Sequence, residues 1–165
     1  MESDEIESRI KQAFVGKSCW YISHGGVTSP SFEMAIGEKR PRGATVANRA
    51  HPDGFRNFEG ETNFLVWCTW RLATSERPIV SSDADIHAID EGMKVIVGNP
   101  IRAVIVWYPC WDLSVIFHDG LRLDVFCDQV DDTSSIDGNW ELWLPDNSIL
   151  LGRRSKMEVQ SSHGI

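Results

Sequence analysis

NFLVWCTWRL, residues 63–72, is the most apolar and aromatic stretch of the chain. Its composition predicts a buried β-strand from Phe64 to Leu72. Two tryptophans of this stretch, Trp67 and Trp70, lie three residues apart, so they would point to opposite faces of the strand. We therefore expect one indole to pack in the core and the other to lie nearer the surface.

Features around this stretch occur a second time later in the chain. Each half has, in order, a helical pattern, an aromatic or apolar strand, an alternating strand, a polar loop and a strand with two tryptophans. This repetition predicts an internal duplication, with repeats at about residues 1–80 and 82–152 and a polar tail at 153–165. We expect an α+β domain in which each half packs one helix on antiparallel strands, as one curved sheet or as two sheets face to face. The matched segments are residues 14–16 with 95–97, 32–36 with 113–117, and Trp67 and Trp70 with Trp140 and Trp143.

The strongest local signal is a β-hairpin. Apolar residues alternate over 113–117 and again over 121–125, and the His-Asp-Gly segment between them is typical of a turn. A helix after residue 82 is expected to be capped by Ser82 together with Asp85. Other patterns predict helices at 4–16 and 82–98, strands at 19–22, 32–36, 101–108, 139–144 and 148–152, an unstructured loop at 38–57 and a frayed tail beyond 153.

Length and charge narrow the possible functions. The chain has 165 residues, a net charge of -8 and a pI near 5.0. This acidic balance argues against nucleic acid as a partner, because affinity for phosphate backbones comes from clustered Lys and Arg. No apolar run reaches the roughly 18 residues that a membrane span needs, and the first seven residues are acidic where a signal peptide would be basic. We expect a cytoplasmic protein that contacts neither nucleic acid nor membrane.

Catalytic and cofactor motifs are sparse. The sequence contains no G-x-S-x-G elbow, no P-loop and no dinucleotide fingerprint. HGG at residues 24–26 is interpreted as a turn. Asp83, Asp85 and His87 form a tight cluster of potential metal ligands, which we interpret as helix capping. No catalytic residue, metal or cofactor is assigned.

The cysteines form no C-x-x-C pair and are interpreted as buried free thiols. A dyad of Cys19 or Cys68 with His24 or His51 is left open, because sequence cannot place these side chains within hydrogen-bond reach. The four thiols belong to Cys19, Cys68, Cys110 and Cys127.

Two polar segments have opposite charge. A charge run is usually a solvated face, but opposite signs on two loops also suit recognition of a charged partner or ligand. The segment 38–57 is basic and carries Lys39, Arg40, Arg42, Arg49 and Arg56. The segment 128–146 is acidic and carries Asp128, Asp131, Asp132, Asp137, Glu141 and Asp146.

The chain also resembles a known type of protein. SFEMAIG, NFLVWCTWRL, DLSVIFHDGLRLDVF and NWELWLPDN, in this order, resemble a family of small uncharacterised bacterial two-repeat proteins over about residues 31–151. Members of that family look like the immunity partners of bacterial toxins. The resemblance implies a small, acidic, cytoplasmic protein that binds another protein.

These observations support three hypotheses. In the first, the chain is a non-enzymatic, immunity-type inhibitor whose acidic segment, with Trp140 or Trp143 beside it, occupies a basic site on a toxin such as a nuclease. In the second, the chain is a ligand-binding or enzymatic domain whose basic segment closes over an anionic small molecule. In the third, exposed tryptophan faces build a homo-oligomer such as a dimer.

Overall fold

The stretch 63–72 is not one strand. In the computed structural model, β3 ends at Val66 and β4 begins at Thr69, and the two strands belong to different sheets. Trp67 and Cys68 make the crossing, and both of their backbone N–H groups donate to the carbonyl of Asn139, at 2.9 and 3.2 Å. The single-strand prediction is wrong because both strands are apolar, so the hydrophobic pattern continues through the change of sheet.

The structure describes residues 2–24, 30–130, 138–153 and 156–161. It is a mixed α+β structure of mostly antiparallel strands with few helices. The helices are α1 (Ser3–Phe14), α2 (Asp53–Arg56) and α3 (Ile86–Met93), and a 3-10 turn follows at Lys94–Ile96. The strands are β1 (Cys19–His24), β2 (Phe32–Pro41), β3 (Phe58–Val66), β4 (Thr69–Ala73), β5 (Pro78–Ser81), β6 (Ile101–Trp107), β7 (Asp112–Phe117), β8 (Arg122–Phe126), β9 (Trp140–Trp143), β10 (Ser148–Arg153) and β11 (Lys156–Ser161).

The strands form two sheets, so the curved single sheet is the alternative that fails. Sheet I has the order β1-β2-β3-β9-β10-β11, and sheet II has the order β5-β4-β8-β7-β6. In each sheet, three strands consecutive in the chain are extended by strands from the other half. The chain reaches these positions by crossing twice, from β3 to β4 and from β8 to β9. Both crossings meet at Asn139, whose buried side-chain amide bonds the backbone of Gln129.

The inner faces of the two sheets enclose one core, which α1 and α3 complete through buried aliphatic side chains. Phe32 of sheet I packs edge-on against Trp70 of sheet II at 5.3 Å between ring centroids. Trp140 is also fully buried, and its indole N–H donates to the carbonyl of Trp111 at 3.0 Å. Trp67 and Trp143 remain partly exposed. The prediction that each tryptophan pair has one core member is therefore confirmed.

The hairpin and the first helix are also confirmed. β7 and β8 pair in register around a turn at 118–120, where the Asp119 carboxylate accepts from the N–H of Leu121 at 3.0 Å. The buried face of α1 carries Ile6, Ile10 and Phe14, as its spacing predicts. The strand predicted at 101–108 is also present as β6, and its residues alternate largely between buried and exposed.

Several predicted bounds of helices, strands and loops differ from the structure. The second helix begins at residue 86 and ends at 93, with Asp85 as its N-cap and without Ser82. The segment 38–57 holds the end of β2 and the short α2, so it is not a structureless loop. β5 was missed because it is short and begins with a proline. The tail beyond residue 153 includes β11, which lies at the edge of sheet I, where polar residues are common.

The segments that follow α1 and the 3-10 turn pair with each other. Gly16 N–H donates to the carbonyl of Ile101, and Gly98 N–H donates to the carbonyl of Cys19, each at 2.8 Å. Both glycines have φ near 80°, at +80° and +79°, a conformation that residues with a Cβ rarely adopt. Between them, Ser18 and Pro100 form an isolated antiparallel bridge.

Candidate functional site

The outer face of sheet I is covered in part by the chain itself. We call it the covered face. The segment 42–57 places Phe55 on it, and the Phe55 ring contacts the ring of Tyr21 at 4.5 Å between centroids. Phe55 is buried, and so are Ala35 and Ile149 of the same face. This face is therefore a small second apolar cluster.

Two arginines of the basic segment hold residues 42–57 in place on sheet I. The Nε of Arg42 donates to the carbonyls of Phe55 and Phe58, at 2.8 and 2.9 Å, and its guanidinium lies 4.6 Å from the centre of the Phe55 ring. Arg56 donates through Nε to the carbonyl of Val46 at 2.9 Å. These two arginines close the segment onto the sheet, so much of their hydrogen-bonding capacity is used within the chain.

The other basic residues do not converge with them. Lys39 lies 4.7 Å from the ring centre of Trp20, and Arg40 lies 3.8 Å from the Glu61 carboxylate. Arg49 is exposed. The predicted anion site, with Lys39, Arg40, Arg42, Arg49 and Arg56 around one ligand, is not assembled among the described residues.

A half-buried carboxyl group lies on the same face. Glu33 pairs with Ser23 and Leu65 in the sheet. Burial raises the pKa of Glu33, the charge of Arg42 opposes that rise, and the charge of Glu59 adds to it. Glu33 is therefore more readily protonated than an ordinary glutamate.

No Cys–His hydrogen bond occurs within the described ranges. His24 Nε2 lies 3.5 Å from the Asp90 carboxylate. Burial lowers the pKa of His24, and the charge of Asp90 opposes only part of this lowering. His51 Nδ1 lies 3.2 Å from the hydroxyl of Tyr21. The dyad left open by the sequence is not formed.

The cysteines are free thiols, and three of the four are buried. Burial raises the pKa of Cys19 to about 12. A hydrogen bond with Cys127, together with burial, raises the pKa of Cys68. Thiols that stay protonated are poor nucleophiles, so neither Cys19 nor Cys68 has the properties of a reactive cysteine.

The structure changes the list of predicted partner contacts. Trp140 has no exposed surface, so it cannot contact a partner, and that expectation is wrong. Trp143 is partly exposed and donates through its indole N–H to the Glu141 carboxylate at 3.0 Å. Asp128 is exposed and accepts hydrogen bonds from the backbone N–H and the hydroxyl of Thr69. Asp131, Asp132 and Asp137 lie outside the described residues.

Asp128 lines a pocket where the chain passes from sheet I to sheet II. This crossover pocket has a volume of about 640 Å³. Asp83 lines it too and accepts a hydrogen bond from the hydroxyl of Ser81. The lining of this pocket includes Trp67, Arg71, Asp83, Phe126 and Asp128. This pocket could not be predicted from the sequence, because Asp83 and Asp128 are brought together only by the pairing of β4 with β8 and β5.

Asp85 follows the pocket residue Asp83 by two positions, but its carboxylate has a structural role. Its carboxylate accepts from the N–H groups of His87 and Ala88, each at 3.0 Å. The capping interpretation is therefore confirmed for Asp85.

The outer face of sheet II, which we call the open face, is much more accessible than the covered face. Trp107 is 50% exposed and Ile105 is 37% exposed. Beneath them, the Trp107 indole N–H donates to the Ser114 hydroxyl at 3.0 Å, and that hydroxyl donates to Asp124 at 2.5 Å. Ser114 and Asp124 are buried polar residues of a sheet face that otherwise meets solvent. Trp107 and Ile105 are therefore adjacent exposed apolar side chains above a fixed polar network.

At the end of the open face away from the crossover pocket lies a second depression, of about 560 Å³. Arg71, Arg77 and Arg122 line it, and we call it the arginine groove. The three arginines come from β4, from the turn after it and from β8. Sequence reasoning missed them because they are isolated in the chain and only the strand register brings them together.

No protein-family model, curated protein or solved structure matches this chain. Of the helices in the described ranges, none is long and apolar enough to cross a membrane.

Proposed function

We propose that this chain is a non-enzymatic protein-binding protein of the immunity type, and that a basic side chain of its partner enters the crossover pocket. The observation that carries the proposal is that the carboxylates of Asp83 and Asp128 and the partly exposed Trp67 line one pocket. The sequence after Asp128 adds further carboxylates at Asp131, Asp132 and Asp137.

The chemistry of the pocket suits a guanidinium or ammonium group. Carboxylates form charge-assisted hydrogen bonds with such groups, and an indole attracts a cation to its face. Arg71 also lines the pocket, but its guanidinium lies 3.7 Å from Asp124 and 5.7 Å from the centre of the Phe126 ring. Asp124 therefore balances part of the Arg71 charge, and the pocket keeps two carboxylates for a partner.

The pocket is also preorganised. Hydrogen bonds from Ser81 and Thr69 fix the two carboxylates before any partner arrives. Fixed groups lose less conformational entropy on binding than mobile ones, which favours affinity. Such preorganisation suits an inhibitor of a nuclease toxin, because fixed carboxylates beside a sheet can imitate the phosphates of a nucleic acid substrate.

We also infer that the two halves arose by internal duplication, each half contributing one main helix. Support comes from strand order, since β1–β3 and β6–β8 occupy equivalent positions in their sheets. The paired hydrogen bonds of Gly16 and Gly98 around the Ser18–Pro100 bridge give further support. On this inference the buried indoles of Trp70 and Trp140 are scaffold, and binding uses residues around them.

The test measures association of the full chain with a panel of bacterial nuclease toxin domains by surface plasmon resonance. For a domain that binds, Asp83→Lys with Asp128→Lys is expected to slow association by about tenfold or more and to reduce its salt dependence. Asp53→Lys, an exposed carboxylate on α2, is the matched control and should retain most of the association rate. Unchanged association for the double variant, with circular dichroism showing a folded protein, contradicts the crossover pocket as the binding site.

A further inference from the structure

The arginine groove differs from the basic segment in how its cations are held. Arg71 pairs with Asp124 across the β4–β8 ladder, and Arg122 pairs with Ala73 two positions further along. The side chains of Arg71 and Arg122 therefore lie on the same face of sheet II as Asp124, Arg71 opposite it on β4 and Arg122 two residues before it on β8. Arg77 reaches this groove from the turn that joins β4 to β5.

Asp124 positions two of the three arginines. It is only 4% exposed, accepts from Arg122 Nε at 2.7 Å and lies 3.7 Å from the guanidinium of Arg71. The Ser114 hydroxyl donates to the same carboxylate. This buried carboxylate therefore holds Arg122 through its Nε and lies near a terminal amino group of Arg71, without closing the groove.

The terminal amino groups of the arginines remain available. Within the described part of the chain, Arg122 forms a hydrogen bond through Nε alone, and Arg71 forms an ion pair without a hydrogen bond. The Arg77 side chain forms neither a hydrogen bond nor an ion pair with any described residue. Each guanidinium can offer a planar fork of N–H donors, the geometry that matches the two oxygens of a carboxylate or phosphate.

The turn beneath Arg77 is fixed. The Thr74 hydroxyl oxygen accepts from the backbone N–H groups of Glu76 and Arg77, at 3.2 and 3.1 Å, and the Thr74 N–H donates to the Arg77 carbonyl at 2.8 Å. Arg77 therefore projects from a rigid turn. Glu76 and Asp124 also line the groove, so three positive charges face two negative ones and a net positive charge remains.

We propose that the arginine groove binds a small oxyanion, a phosphate or carboxylate group, held by Arg71, Arg77 and Arg122. This site shares Arg71 with the crossover pocket but does not depend on the proposed protein partner. It also differs from the basic segment, where Arg42 and Arg56 donate to backbone carbonyls of their own chain.

The test is thermal unfolding of the full chain in increasing inorganic phosphate or citrate, at constant ionic strength balanced with sodium chloride. A ligand that binds only the folded state raises the melting temperature in a saturable way. The two anions separate the phosphate and carboxylate sources, and saturation by either one supports the site. No saturable rise with either anion up to about 10 mM would overturn the proposal.

Arg77→Gln is the decisive variant, because its side chain has no partner to lose among the described residues and its folding should be unaffected. We expect this variant to weaken binding by about tenfold, as expected for the loss of one charge-assisted contact. Arg71→Gln should weaken binding to a similar extent. Arg49→Gln, which removes an exposed arginine from the basic segment, should bind like the unaltered chain. Equal losses for Arg49→Gln and Arg77→Gln would show general charge screening and would refute a site in the groove.

Discussion

The covered face and the open face each place an arginine over a phenylalanine, yet the two arginines have different tasks. Arg42 lies over Phe55 and donates to two carbonyls, which fastens residues 42–57 onto sheet I. Arg71 lies over Phe126 beside a groove and a pocket, and its charge is only partly balanced. Positive charge in a sequence therefore does not locate an anion site. What matters is whether the donors are already used by the chain.

The largest expected effect comes from removing the aromatic side chain that covers sheet I. Phe55→Ala should lower the free energy of unfolding by about 3 kcal/mol, because Phe55 is buried against Tyr21 and a cavity would remain. Trp107→Ala on the open face should cost about 1 kcal/mol or less, because half of its surface is already in water. Urea unfolding of both variants gives the two values. Similar losses would mean that the two faces do not differ as described.

A matched pair of arginine substitutions tests the same difference with a smaller effect. Arg42→Gln should destabilise the fold by about 2 kcal/mol, since a charged donor to two carbonyls is lost. Arg71→Gln should cost less than about 1 kcal/mol, because its ion pair is half exposed and longer than a hydrogen bond. The measurement is again chemical unfolding, with unchanged denaturant dependence as the check that only stability has changed.

Substitution of Glu33, on the covered face, is expected to give the smallest change in the free energy of unfolding. This change should depend on pH. The pKa of Glu33 is raised in the folded state by burial, so the folded chain binds the proton more tightly than the unfolded chain. Its contribution is therefore most favourable below the ordinary glutamate pKa and is lost as pH rises through the raised value. Glu33→Gln should stabilise the protein relative to the unaltered chain near neutral pH, and this advantage should shrink as the pH falls. An advantage that grows on acidification would show that Glu33 is instead stabilised in its charged form.

Much of the local structure could be predicted because its signal is local. The β7–β8 hairpin follows from strict alternation around a His-Asp-Gly turn, and α1 follows from apolar spacing. The change of sheet at Trp67 and Cys68 could not be predicted in this way. It depends on backbone hydrogen bonds to Asn139, which is more than seventy residues away in the chain.

The candidate sites were less accessible to sequence reasoning than the core. The basic segment has the densest positive charge in the sequence, but its arginines are used within the fold. Arg71, Arg77 and Arg122 are scattered and give no local signal. Their convergence follows from the β4–β8 register, which is set by long-range pairing.

The exchange of strands between the sheets has a consequence for folding. Sheet I needs β9 and β10 to cover the edge of β3, and sheet II needs β4 and β5 to cover the edge of β8. Cleavage of the chain near residue 81 would leave each of the two fragments with an unpaired strand edge, so neither fragment should be stable alone. We expect the intact chain to unfold in one cooperative transition and the two fragments to recover native circular dichroism only when mixed.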